Sequence, residues 1–101
     1  MNRHADRIIV EWDQAKNDLN VRKHGLDFGT ASLVFADVNR IEFYDFVHST
    51  DEDRYITIGL VNNLITVVYT ERVKAIRLIS ARTATAAERK IYYGKNRQKG
   101  S

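Results

Sequence analysis

The sequence predicts an α+β domain built on one antiparallel sheet. Two N-terminal helices pack on one face and a C-terminal helix follows, in the order β-α-α-β-β-β-β-α. Three observations predict it. Short runs between Arg40 and Ala81 alternate apolar with polar residues, the period of half-buried strands. The stretch EWDQAKNDLNVRKHGLDF, from Glu11 to Phe28, carries cap residues and helical spacing instead. Strands joined in sequence by short turns form an antiparallel meander, and two helices cannot cover both of its faces, so one face is expected to stay partly open.

The elements follow in order. RIIVEW (Arg7 to Trp12) is β-branched and short, a first strand. Asp13 can cap the next helix, where a carboxylate suits the positive end of the dipole. Gly25, which tolerates the left-handed closing conformation, should stop that helix at His24. Leu26 can then fold back against Val21. Within the helix Ala15 and Leu19 are expected to face the core. Beside them Lys16, Asn20 and Lys23 line one side at i, i+4 and i+7. A half-buried amide needs partners, so Asn20 is expected to tie a neighbouring loop through side-chain to backbone hydrogen bonds. Lys16 and Lys23 can lay their stems on apolar surface and lift their charges to water as a basic rim.

Asp27 caps a second short helix whose inner side is Phe28, Ala31, Val34 and Phe35. RIEFYDF then sets Ile41 and Phe43 against Glu42 and Tyr44, and RYITIGL sets Ile56 and Ile58 against Tyr55 and Thr57. Asn62-Asn63 turns into LITVVYT, apolar on both faces and so a central strand. Glu71 to Lys74 turn the chain into AIRLISA. Thr85 with Glu88 three residues on has capping-box spacing, opening a helix whose apolar positions are Ala87, Ile91 and Tyr92.

A chain of 101 residues is expected to form one domain, 1–101, with a single modest core. It has no cysteine, which excludes disulfide and thiolate chemistry, and His4, His24 and His48 are too far apart for a sequence-local metal site. No metal or other cofactor is expected. The longest apolar run, LITVVY, cannot span a bilayer, and no signal-peptide core opens the chain, so a soluble cytoplasmic protein is expected. The net charge of +3 is unevenly spread: from Glu71 onward nine basic residues face two acidic ones, while residues 1–70 carry seven against eleven. A basic final third suits a polyanion or an acidic partner. From about Lys95 the chain is expected to be a solvated, frayed basic tail.

Strand alternation nominates a surface. With Ile56 and Ile58 toward the helices, Tyr55 and Thr57 point outward. With Ile76 and Leu78 inward, Arg77 points outward together with Ile79. Arg82 follows beyond the strand end, and Arg89, Tyr92 and Tyr93 lie on the last helix. A guanidinium fork matches phosphate oxygens and aromatic rings stack on unpaired bases, so this face suits single-stranded RNA. Arg54 shares the face of Ile56 and Ile58, at the sheet margin or paired with an acid. His24, at a helix C-terminus, gains from the dipole when protonated. DFVHSTDEDRY (Asp45 to Tyr55) is expected to be a flexible acidic loop, because nothing in its spacing converges carboxylates on a metal.

Three ordered blocks resemble the BrnT family of toxins. The first is Trp12-Asp13, Lys16, Asn20, Lys23-His24-Gly25 and Phe28. DFVHSTDEDRYITIG is similar to the family's central block, with Asp45, His48-Ser49 and an Arg-aromatic strand ending in Gly59. IRLISARTATAAERKIYY is similar to its closing block, with Ser80-Ala81-Arg82, Ala84-Thr85, Glu88-Arg89 and Tyr92. The resemblance spans Ile8 to Tyr93. It implies a RelE-like fold and a small ribonuclease toxin from a bacterial type II toxin–antitoxin pair. It also implies a ribbon-helix-helix antitoxin of the BrnA type that wraps the toxin and carries the DNA-binding part, so DNA is met only through that partner. A dimer of toxin–antitoxin heterodimers is one assembly in keeping with this. Two departures stand out: Gly29-Thr30 replaces acidic residues and costs helix propensity, and Ala86-Ala87 thins the positive surface.

Without cysteine or a metal cluster in the sequence, RNA cleavage would most simply use the substrate's own 2′-hydroxyl. The protein must then align that group, steady the charged transition state and move protons. Arg77 and Arg82 are the candidates for charge stabilisation. Lys16 and Lys23 would form a second clamp, with Lys23 or His24 for proton transfer. Tyr92 would stack on a base or donate a proton. Arg54, Tyr55, Arg89 and Tyr93 complete the expected RNA-binding set. The alternative is a non-catalytic module that docks RNA or a protein, or a degenerate toxin. Charge and the open sheet fit both readings; the family resemblance separates them.

Overall fold

The structure, a computed structural model, describes residues 8–100, the side chains of the last three excepted. Arg7, the expected start of the first strand, lies outside the described residues. The chain runs β1 (Val10–Glu11), α1 (Gln14–His24), α2 (Phe28–Ala31) leading into a 3-10 turn (Ser32–Ala36), then β2 (Ile41–Tyr44), β3 (Arg54–Val61), β4 (Asn63–Glu71), β5 (Ile76–Thr83) and α3 (Ala86–Gly100). α3 takes in the basic stretch from Lys95 that was expected to be tail.

The strands form one sheet in the order β1-β5-β4-β3-β2. β2 to β5 are the expected antiparallel meander. β1 joins it parallel to β5, with Val10 opposite Ile76 and Glu11 opposite Arg77, so the sheet is mixed rather than wholly antiparallel. Hairpins force their strands to run antiparallel. β1 reaches β5 through no hairpin, and a two-residue strand is free to add in either direction.

The helix ends form where their caps predict. The Asp13 carboxylate accepts from the Lys16 N–H at 3.3 Å, and Gly25, at φ 68°, donates its N–H to the Val21 carbonyl. Asp27 accepts from the Thr30 N–H at 2.7 Å. The burial of α1 corrects the expectation. Ala15 and Leu19 face solvent, and the buried residue of the helix is Asn20. β1 covers only Ile76 and Arg77 of β5, so the β5 edge beyond them has no strand beside it. Asn20 takes that place. Its Nδ2 donates to the Ala81 and Leu26 carbonyls, both at 2.8 Å, and its Oδ1 accepts from the Ala81 N–H at 3.1 Å. A carboxamide carries a donor and an acceptor in one plane, as a strand residue does. α1 therefore docks on the sheet's edge through a polar group; the bond to Leu26 is the loop tie expected of Asn20, while the two to Ala81 of β5 were not expected.

The main core lies on the face covered by α2 and the 3-10 turn. Phe28, Ala31 and Val34 pack on Ile65, Val67 and Tyr69 of β4 and on Leu78 and Ala81 of β5. On the opposite face Ala84 and Tyr92 pack on Ile41, Ile58 and Leu64. α3 thus covers one end of the second face and leaves the rest open. Its inner residue is Tyr92, while Ala87 and Ile91, expected to face inward, are exposed.

The two faces of β3 are the reverse of those expected. Tyr55 and Thr57 register with Tyr69 and Val67 on the α2 side, whereas Ile56 and Ile58 register with Val68 and Thr66 on the α3 side. Both faces are buried at this point, so hydrophobicity alone does not choose between them. Aromatic packing and a satisfied hydroxyl do. Tyr55 stacks on Tyr69 with centroids 5.6 Å apart, and the Thr57 hydroxyl donates to the Ile41 carbonyl at 3.0 Å.

One carboxylate joins the layers. Asp37, just after the 3-10 turn, accepts from the Tyr92 hydroxyl at 2.6 Å and from the Leu60 N–H at 2.8 Å. Burial alone would raise its pKa. The hydrogen bonds from Tyr92, Leu60 and Asn39, with the Arg40 charge, hold it below the usual carboxylate range instead. Gly59 lies beneath: a Cβ there would come within 2.7 Å of Val34 Cγ2. The 3-10 turn sits this close because β3 is bare at that residue.

Candidate active site

The site is organised by a break in β5. Tyr69 pairs with Leu78 but Val68 pairs with Ser80, so Ile79 is an extra residue with no partner on β4. A bulge of this kind resets the alternation of the strand. Arg77 and Arg82 are five residues apart and would otherwise face opposite ways. With Ile79 inserted they register with Thr70 and Thr66, on the same open face.

Each of these arginines is engaged and still partly exposed. Arg77 Nε donates to Glu11 Oε2 at 3.1 Å across the β1–β5 pair. Arg82 forms a two-pronged pair with Glu88, Nη1 to Oε1 at 2.8 Å and Nη2 to Oε2 at 2.9 Å. Their side chains stay 36% and 37% exposed. Glu88 also accepts from the Thr85 N–H and the Thr66 hydroxyl, both at 2.8 Å. The Arg82 fork is the main reason its carboxyl is pulled down to about 2, with those two donors adding to it against burial. The capping box at the start of α3 therefore fixes the position of Arg82.

Two grooves meet at the bulge. The larger, about 400 Å³, runs over the open face between the β2–β3 connection and β5. Asp45, His48, Arg54 and Arg82 line it above a floor of Ile56 and Val68. The smaller, about 180 Å³, lies between α1 and β5 and is lined by Lys16, Leu19, Asn20, Lys23 and His24. Ile79 and Ser80 belong to both. The cations expected from two distant segments are therefore brought to either side of one strand.

Arg54 shares the face of Ile56 and Ile58 as expected, but that face is the open one rather than the one under the first helices, and no acid pairs with it among the described residues. Its Nε is buried without a hydrogen-bond partner. An unmet guanidinium donor lining a groove suits an acceptor oxygen. Beside it stands a pair that sequence reasoning missed. The Asp45 carboxylate receives the His48 N–H at 3.3 Å and lies 3.0 and 3.2 Å from His48 Nδ1. Ser49 Oγ donates to the Asp45 carbonyl at 2.6 Å and accepts from the Arg54 N–H at 2.8 Å. The segment expected to be a flexible acidic loop is, at this end, a hydrogen-bonded turn. Its signal was an aspartate, a histidine three residues on and a serine directly after it, the spacing of a side chain closing its own turn.

Two expected site residues are withdrawn. Tyr55 lies on the α2 side, stacked on Tyr69, and has no access to the open face. Tyr92 is 4% exposed, with its hydroxyl committed to Asp37. Burial first, and that hydrogen bond second, push its phenol above the usual range, so it keeps its proton. It ties α3 to the domain and cannot stack on a base. Arg89 and Tyr93 stand together on the exposed side of α3, the guanidinium 5.9 Å from the ring centroid. Lys16, Lys23 and His24 are exposed along the smaller groove. Among the described residues no three His, Cys, Asp or Glu side chains converge as metal ligands, and no helix is long and apolar enough to cross a membrane.

A sheet half covered by helices, with guanidinium and imidazole groups gathered on its open part, defines a small α+β domain with a cationic cleft. Comparison with known proteins makes this specific. The chain belongs to the BrnT family, whose model, described as the ribonuclease toxin BrnT of type II toxin–antitoxin systems, matches residues 12–88. The crystal structure of the Brucella abortus ribonuclease toxin BrnT is similar to it, with a TM-score of 0.60 and 29% identity over 77% of this chain and 97% of that one. No curated protein matches the chain. Membership carries the coarse function, a ribonuclease toxin with an RNA target and an antitoxin partner.

Proposed function

We propose that the chain is an endoribonuclease that cleaves RNA by metal-independent attack of the substrate 2′-hydroxyl, and that an antitoxin of the ribbon-helix-helix, BrnA type silences it. The observation that supports this best is the meeting of the two grooves at Ile79 and Ser80. A single strand laid across the bulge meets Arg54 and Arg82 on one side and Lys16, Lys23 and His24 on the other. The guanidinium groups of Arg82 and Arg54 face the scissile phosphate, where charge grows in the transition state. Arg77, held by Glu11 on the same face, receives a neighbouring phosphate. Lys16 and Lys23 act as point charges on the flanking backbone. Arg89 and Tyr93 offer a charge and a ring to the strand where it passes α3. Proton transfer needs a basic group at the 2′-oxygen.

On this reading the single domain works in the cytoplasm, and the antitoxin covers the open face and supplies contact with DNA, building dimers of heterodimers. Expression without antitoxin is the test. Growth arrest with fragmented transcripts is expected, and Arg82→Ala abolishes both while the purified variant keeps its fold by circular dichroism. Cleavage in vitro persists in EDTA. Tight RNA binding with intact transcripts instead means a non-catalytic module or a degenerate toxin.

A further inference from the structure

We propose that His48, oriented by Asp45, is the proton-transfer residue of the larger groove. This rests on the ribonuclease reading and adds to it the residue that takes the proton from the 2′-hydroxyl. Three observations carry it.

The first is orientation. A carboxylate only accepts hydrogen bonds, so with Asp45 beside Nδ1, at 3.0 and 3.2 Å, the proton of the neutral ring sits on Nδ1 and the lone pair on Nε2. Asp45 is itself held: its side chain is 10% exposed and its N–H donates to the Arg54 carbonyl at 2.8 Å. The second is access. The His48 side chain is 66% exposed and lines the groove, so Nε2 can be reached. The third is company. The cationic groups that line the groove with His48 are Arg54 from β3 and Arg82 from β5, two donors for one phosphate. Nothing comparable surrounds the other candidates. Lys23 and His24 are exposed on α1, and neither is hydrogen-bonded to a carboxylate among the described residues.

The step balances without a co-reactant. Nε2 takes the proton of the 2′-hydroxyl as O2′ bonds to phosphorus. The P–O5′ bond breaks, its electron pair leaves on O5′, and O5′ takes a proton from solvent. The imidazolium returns its proton to solvent. The products are a 2′,3′-cyclic phosphate end and a 5′-hydroxyl end, and no water is consumed. His48 is the catalytic residue here and Asp45 a positioning residue.

The test uses the full-length protein with a mixed-sequence pool of single-stranded RNA and its 2′-deoxy counterpart, measuring binding and single-turnover cleavage separately. His48→Gln is expected to cleave about 100-fold more slowly or worse, in the range a general base supplies, while binding RNA as tightly as wild type. The acid limb of its pH–rate profile disappears, whereas His24→Gln keeps that limb. In Asp45→Asn the amide donates to Nδ1 and leaves the proton on Nε2, so cleavage falls while RNA affinity holds. A His48→Gln protein that binds and cleaves like wild type, with its acid limb intact, overturns the proposal and leaves the ribonuclease reading standing. Wild-type protein that cleaves neither the pool nor transcripts in cells overturns that reading, and the proposal with it.

Discussion

Asn20→Ala strands the N–H and C=O of Ala81 in a buried seam and frees the Leu26 carbonyl. Unsatisfied buried groups of this kind are expected to lower stability by about 2–3 kcal/mol, read from the urea midpoint. Asn20→Asp is worse, since a carboxylate would then face two carbonyl oxygens. Glu88 supplies a pH signature. Its carboxyl falls from an ordinary 4.5 to about 2 in the fold. Its contribution is complete above pH 4.5 and is lost as pH drops toward 2. Glu88→Gln is expected to be less stable than wild type at neutral pH and to show a flatter stability curve across that window, measured by thermal unfolding against pH. At this scale the sequence was readable wherever one residue answers to one rule. A half-buried amide must find partners, and glycine after a helix must close it. It was unreadable for Tyr55 and Tyr92, whose placement depends on Tyr69 and Asp37, residues distant in the chain.

Among the elements, the caps and hairpins were legible because each is local. Asn62 turns β3 into β4 in the left-handed region, at φ 62°, as the asparagine pair suggests. The parallel β1 was not legible, since nothing in a two-residue strand specifies its neighbour. Nor was the exposed apolar side of α1. That helix docks edge-on through Asn20, so Leu19, a core residue by its pattern, is left outside. The packing of the 3-10 turn on β3 gives a sharp prediction. Gly59→Ala places a methyl group 2.7 Å from Val34 Cγ2 and 3.2 Å from Arg40 Cβ. Overpacking at so tight a point is expected to cost about 1–3 kcal/mol, seen as a lower thermal midpoint.

For the molecule as a whole, the charge imbalance along the chain was a poor guide to where charge gathers in space. The acidic first two thirds contributes Lys16, Lys23 and Arg54 to the grooves, while several of its acids serve as helix caps (Asp13, Asp27) or pair with arginines (Glu11, Glu42, Glu52). What remains for a polyanion is the set of cations without such partners, together with Arg77 and Arg82, which stay partly exposed beside theirs. RNA affinity should therefore fall steeply with salt. Removing one cation that neutralises a phosphate is expected to reduce the log–log slope by about 0.7, so Lys16→Ala and Lys23→Ala each flatten it by roughly that amount in a filter-binding titration.

The unpaired Ile79 has a consequence for anyone reading related chains. Two arginines in one strand an odd number of positions apart belong, by parity, to opposite sides of the sheet, and only an inserted residue reconciles them. Counting residues between such a pair thus detects a dislocated strand before any coordinates exist. A relative one residue shorter here would need no dislocation, because an even spacing keeps both guanidinium groups on one side; one that kept the odd spacing in an unbroken strand would turn its second guanidinium into the greasy interior.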